Sequence, residues 1–248
     1  MKWLYLFTSF LFLAACSSTT PVANLNKVTP EFIASEEVYI KNSDYHSLIE
    51  LYKYQLENGE NLHLRIKLVD SYVHAGDIDS ALFHMEALPD DSKPINLNFT
   101  KAQAFFHNHQ LQKAELHLQK ELKAFPKNAQ AYNLFGVVLA YQGDYVDARR
   151  QLNQARSLHF SDITIINNLA MLDILESRFD DAVKRLMPIY DNGLANKKVK
   201  TNLLVALAMT NVDHPFTELA NEQFKYVDQS QIRHEINRLF SNRESVAP

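Results

Sequence analysis

Four alanines return at nearly constant spacing along this chain. Ala81, Ala114, Ala148 and Ala182 recur with a period of about 34 residues. Each follows, by three positions, a large apolar residue: Ile78, Leu111, Tyr145 or Phe179. Each precedes, by four, another: Met85, Leu118, Leu152 or Leu186. Offsets of three and four place side chains on one face of an α-helix. An apolar helical face that recurs at a fixed period must be buried against neighbours that recur with it, so the chain is constrained to stacked units.

A second helix precedes each of these. Tyr132, Phe135, Gly136 and Leu139 recur at helical spacing up to Gly143-Asp144, and Ile166, Leu169 and Ala170 occupy the matching places one unit later. Small Ala102, Gly136 and Ala170 are expected where the two helices of a unit approach. Gly143-Asp144 reads as a turn followed by a helix N-cap, since glycine tolerates positive φ and aspartate accepts from free amides. Pro126 separates one unit from the next. Only five glycines occur in 248 residues, and the single cysteine leaves no intramolecular disulfide and no cysteine-clustered zinc site. Hairpin folds and glycine-rich phosphate loops are therefore disfavoured. The formal net charge of -4 speaks against nucleic acid as the partner.

These residues resemble the tetratricopeptide (TPR) repeat. Residues 129–162 fit best, 95–128 and 163–196 nearly as well, and 62–94 keeps Tyr72, Gly76 and Ala81 despite a polar first helix with Arg65. Residues 30–60 read as a degenerate first pair, with Tyr45 and Leu48 in register. A last pair covers about 199–228. Its alanine is taken as Ala220, which stands later than the period places it and so implies an insertion in its turn. The resemblance implies an all-α, right-handed α-solenoid of about five to six helix pairs over residues 30–241. A capping helix from Gln231 to Phe240 and a short tail at 242–248 complete it.

Stacked helix pairs leave their first helices lining a concave groove. That groove is expected to include Phe99, Gln103, Phe106, His107, Asn133, Val137, Tyr141, Asn167, Met171 and Leu175. Aromatic, aliphatic and amide groups together suit an amphipathic helix or an extended peptide, and the amides of Asn133 and Asn167 suit a peptide backbone. Phe106, Val137 and Leu175 also fit simple packing between units. Ten histidines raise the question of a metal, but His107 and His109, the densest pair, fall at a turn without a helical His-x₃-His partner. Asp180-Asp181 and Glu36-Glu37 diverge around a helix, and Lys197-Lys198 with Lys200 is too short for nucleic acid. No catalytic motif is present, so neither enzyme activity nor a cofactor is expected.

The N-terminus carries a different signal. Lys2, an apolar run from Trp3 to Leu13, and Leu13-Ala14-Ala15-Cys16 have the form of a secretory signal peptide. The apolar run is far shorter than the ~20 residues of a membrane-spanning helix. Leu-Ala-Ala-Cys resembles a bacterial lipobox, which implies a signal peptide over 1–15, acylation at Cys16 and a polar tether over 16–29. Ser17 after the cysteine fits the sorting pattern of outer-membrane lipoproteins.

The order Ala131-Tyr132-Asn133-Leu134-Phe135-Gly136, Gly143-Asp144, Ile166-Asn167-Asn168-Leu169-Ala170 and Val199-Lys200-Thr201-Asn202-Leu203-Leu204 is similar to the TadD family of lipoproteins that assemble tight-adherence (Tad/Flp) pili. Thr210-Asn211-Val212-Asp213 departs from that family's Gln-Gly turn. The resemblance implies an outer-membrane, lipid-anchored scaffold or pilotin facing the periplasm, with a pilus secretin or another Tad component as its protein partner. Two other roles fit the same architecture: a type IV pilus pilotin, whose Asn-Asn-Tyr-Gly stretch is here Asn167-Asn168-Leu169-Ala170, and a periplasmic adaptor of cell-wall enzymes.

Overall fold

The computed structural model describes residues 29–89, 97–210, 212–225 and 227–244. The signal peptide, Cys16 and the tether up to residue 28 lie outside the described residues. Among the described residues there are thirteen helices and no strands. They run as pairs: α1 (Pro30–Lys41) with α2 (Tyr45–Glu57), α3 (Leu62–Ala75) with α4 (Ile78–Met85), α5 (Leu97–His107) with α6 (Leu111–Ala124), and α7 (Ala129–Gln142) with α8 (Tyr145–Ser157). Then come α9 (Asp162–Leu175) with α10 (Phe179–Asp191), α11 (Lys197–Ala208) with α12 (Asp213–Gln223), and a single α13 (Gln229–Glu244). The array is an all-α solenoid of six pairs and a terminal helix. That helix continues to Glu244, into the expected tail.

The register is more regular than the alanines alone indicate. The second helices begin at Tyr45, Ile78, Leu111, Tyr145, Phe179 and Asp213, so the same step is kept from the first pair to the last. This corrects the expected insertion in the last unit. One further step from Ala182 lands on Phe216, which is buried, and Ala220 is one turn beyond it. The repeat continues with a large residue at the alanine position.

Local chemistry sets these boundaries. Asp44, Asp77 and Asp144 precede α2, α4 and α8, and each carboxylate accepts from the amide three positions on, at 3.1, 3.1 and 3.0 Å. Asn61, Asn128 and Asn196 do the same for α3, α7 and α11. Such caps satisfy amides that have no partner inside the helix. In the first five pairs the residue just before the second-helix cap takes a left-handed conformation: Ser43, Gly76, His109, Gly143 and Ser177 all have positive φ, from 52° to 87°. Only two are glycine, so in three units a side chain is held where L-residues are disfavoured.

Facing pairs of small residues occur in the middle of the array. Ala102 faces Ala114, Gly136 faces Ala148 and Ala170 faces Ala182 in the third to fifth pairs, and all six are buried. A Cβ added at Gly136 would lie 2.7 Å from Leu152 Cγ and 3.0 Å from the Ala148 carbonyl oxygen. In the sixth pair the corresponding residues are Leu204 and Phe216, both buried and both large. There α13 turns back over the end. Arg233 pairs with Asp213 at 3.0 Å and lies 4.3 Å from the Phe216 ring centre, while Phe240 meets Phe179 edge-on at 5.7 Å. Ile232 and Ile236 add to the same apolar cluster.

A buried ionic hub ties the fourth and fifth pairs together. Asp173 on α9 is 1% exposed and accepts from Arg149 of α8, Arg178 of the turn and Arg185 of α10, at 2.9, 2.7 and 2.5 Å. Glu176 shares Arg149 and Arg178. Burial works against the Asp173 carboxylate, but the Arg178 bond, followed by Arg185 and Arg149, outweighs it and holds the group below the usual aspartate range.

Candidate functional site

The first helices present one side chain per turn to the inner face, and the unit spacing repeats each position on the next helix. Phe99, Asn133 and Asn167 are successive occupants of one such position on α5, α7 and α9. Gln103, Val137 and Met171 occupy the next, and His107, Tyr141 and Leu175 the one after, each again one repeat apart.

Five of the ten expected groove residues line a single cavity of about 480 Å³: Phe99, Gln103, Phe106, His107 and Asn133. Tyr141 stands at its edge, 66% exposed, with its ring edge-on to Phe106 at 5.4 Å. Met171 is exposed further along, and Val137 is half-buried between the two. Leu175 is different. It is half-buried and packs against the cluster that holds Leu139, Leu169 and Leu172, so it serves packing between units as well. Phe99 and Phe106 do both jobs, resting on the buried Ala102, Leu118 and Val138 while facing the cavity.

The two expected backbone-binding asparagines are already engaged, each with a neighbour on the first helix of the next pair. Asn168 Nδ2 donates to Asn133 Oδ1 at 2.8 Å, and Asn202 Nδ2 donates to Asn167 Oδ1 at 3.0 Å. These are two rungs of one ladder along the inner face. Sequence reasoning found one residue of each rung and missed the other, because the partners lie 35 residues apart and pair only when units stack.

The cavity wall on α3 was also missed. Ile66, Lys67, Asp70 and His74 supply it, and Phe160 from the loop before α9 closes the opposite side. Lys67, Asp70 and His74 make this stretch of the wall hydrophilic, whereas Arg65, the residue that departs from the repeat, bonds Glu60 and lies beside His84 of α4. The wall's lysine is matched. Lys67 pairs with Glu36 at 2.8 Å, where Tyr52 also donates at 2.7 Å, and Asp70 faces His74 at 3.6 Å. Burial raises the Asp70 carboxyl, against the pull of His74. At the rim His107 is pushed down by burial first, then by His74 and His109, so its neutral form is favoured.

The charged features outside the groove have structural roles. Glu36 is a hydrogen-bond hub and Lys200 pairs with Glu222. Asp181 pairs with Lys184 at 3.6 Å on the surface. His109 fills a left-handed turn position. Among the described residues, no group of three or more His, Cys, Asp or Glu side chains could hold a metal ion, and no helix is long and apolar enough to cross a membrane.

Neither a protein-family model nor a curated protein matches the chain. Solved structures do. A tetratricopeptide repeat protein of Parabacteroides merdae aligns at 15% identity over 86% of this chain and 87% of its own, with a TM-score of 0.63. PilF of Pseudomonas aeruginosa aligns at 11% identity over 83% of this chain and 96% of its own, also at 0.63. A thermophilic TPR protein of Thermus thermophilus aligns at 17% identity over 71% and 96%, at 0.60. Six stacked pairs, an unbroken register and these likenesses agree on one conclusion: the chain has the tetratricopeptide-repeat fold.

Proposed function

We infer that this chain is a protein-binding scaffold, anchored by acylation of Cys16 at the periplasmic face of the outer membrane, that captures a segment of a pilus secretin during assembly. The observation that carries the binding role is the groove itself, where an aromatic-lined cavity is continuous with two asparagine rungs. Surfaces that combine apolar pockets with ordered amides suit peptide capture. Support for the anchor comes from Leu13-Ala14-Ala15-Cys16, and support for the pilus system from the similarity of residues 131–208 to the TadD lipoproteins. Mechanistically, no bond is made or broken. A lipid confines the scaffold to a surface, and a bound segment is thereby concentrated where it must multimerise.

Deleting the gene and measuring secretin multimers in outer-membrane fractions tests the role. Multimers should fall in the deletion strain, return with the wild-type chain, and fail to return with Cys16→Ser. Unchanged multimers and normal pili in the deletion strain would overturn the reading.

A further inference from the structure

We propose that the cavity beside Phe99 and Phe106 takes one cationic side chain of the captured segment, an arginine before a lysine, with Asp70 and Gln103 as its acceptors. This names the partner chemistry of the groove and rests on the groove being the partner site.

The repeat sets the two acceptors side by side. Asp70 stands one unit before Gln103, so they hold the same inner-face position on α3 and α5 that Val137 and Met171 hold on α7 and α9. Packed helices lie about 8–10 Å apart, and both acceptors line the one cavity. Along this level the inner face changes from carboxylate and amide to apolar. The level on one side of it carries Ile66 and Phe99, and the level on the other carries His74 and His107.

Both acceptors are short of donors. Among the described residues, the Asp70 carboxylate receives no hydrogen bond. His74 faces it at 3.6 Å, but His74 Nδ1 donates to the Asp70 backbone carbonyl oxygen at 2.9 Å and its ring stacks on Tyr45 at 4.8 Å. An imidazole brings charge only when protonated. Gln103 Oε1 is buried at the wall without a partner. Burial raises the Asp70 carboxyl, and a cation brought beside it offsets what burial costs the ionised form.

The lining disfavours other guests. Lys67 is the wall's lysine and is spent on Glu36, so an anion meets Asp70 with no cation left to answer it among the described residues of the wall. An apolar guest fills space beside Phe99, Phe106 and Phe160 but leaves both acceptors unmet. A cation suits all of them, because aromatic faces attract positive charge. Guanidinium is the better fit: it is flat, stacks on rings and carries five donors, against three on an ammonium.

Selection of a phage-displayed library of random dodecapeptides on the purified full-length chain tests this. Bound peptides should share one arginine or, less often, lysine. Replacing that arginine by citrulline, its neutral isostere, in the synthetic peptide should weaken binding roughly tenfold or more by calorimetry. Asp70→Asn in the protein should do the same, and the two changes together should cost little more than either alone, which marks a direct contact. Gln103→Met should weaken the arginine peptide and leave its citrulline form nearly unchanged. A circular-dichroism melt checks each variant, and the citrulline peptide reads the pocket in the unaltered protein. Arginine amide, a free cation, should displace the peptide only at roughly hundredfold excess, since it lacks the rest of the segment. Selected peptides without a basic residue, full binding by the citrulline form, or unchanged affinity in Asp70→Asn would overturn the cation pocket while leaving the groove a partner site. Displacement by arginine amide at equal concentration would overturn the segment as its source. If the intact array selects no peptide, the groove reading itself fails.

Discussion

At the scale of single residues, burial decides what a polar group does. Glu121, on α6, is 1% exposed, and its Oε1 accepts from Asn128 Nδ2 at 2.9 Å while Oε2 has no partner. Asn128 is also the cap of α7, so one side chain links the end of α6 to the start of the next unit. Burial raises the Glu121 carboxyl above its ordinary 4.5, with the Asn128 bond and the nearby Phe99 backbone amide pulling the other way. A raised carboxyl binds its proton more tightly folded than unfolded, so its contribution is fully present below the unfolded value. It is lost as pH rises from there through the folded value. Glu121→Gln keeps the acceptor for Asn128 and removes the charge. The variant should be more stable than wild type by about 1 kcal/mol at pH 7, with the gap closing near pH 4, as read from urea midpoints. A loss of stability at pH 7 would mean the ionised form is favoured in the fold. None of this was legible in the sequence, where Glu121 is one of many charges on an amphipathic helix. The Asp173 hub was hidden for the same reason, since its three arginines come from separate elements.

Helices and turns were far more legible. Alanine spacing, Gly143-Asp144 and Pro126 located most boundaries, because caps and close crossings need particular residue types. The error came from following residue identity past the point where the geometry changed. Ala220 attracted the assignment, although the unchanged step leads to Phe216. The small residues matter where helices cross closely, and Gly136 is the extreme case. Gly136→Ala gains about 1 kcal/mol of helix propensity. It also places a methyl 2.7 Å from a branch carbon of Leu152 and 3.0 Å from a backbone oxygen of α8, neither of which is the free end of a flexible chain. Overpacking of this kind costs about 1–3 kcal/mol or more. The variant should therefore be less stable overall, with a lower urea midpoint, and an unchanged or higher midpoint would show that α7 and α8 can separate freely.

For the whole molecule, stability is a sum of unit and interface contributions, so damage stays local. Helix α13 is the clearest case. It covers Phe216 and Phe179 through Arg233 and Phe240, and most of its other side chains face outward. Ending the chain after residue 228 should speed amide hydrogen exchange in α11 and α12 and leave α7 and α8 protected. Equal loss of protection along the entire array would show a single cooperative unit instead. The inner face obeys the same arithmetic, with consequences of another kind. Because each first helix repeats the positions of the one before it, the inner face grows in whole units: copying one pair in register extends it by one step and never by a fraction.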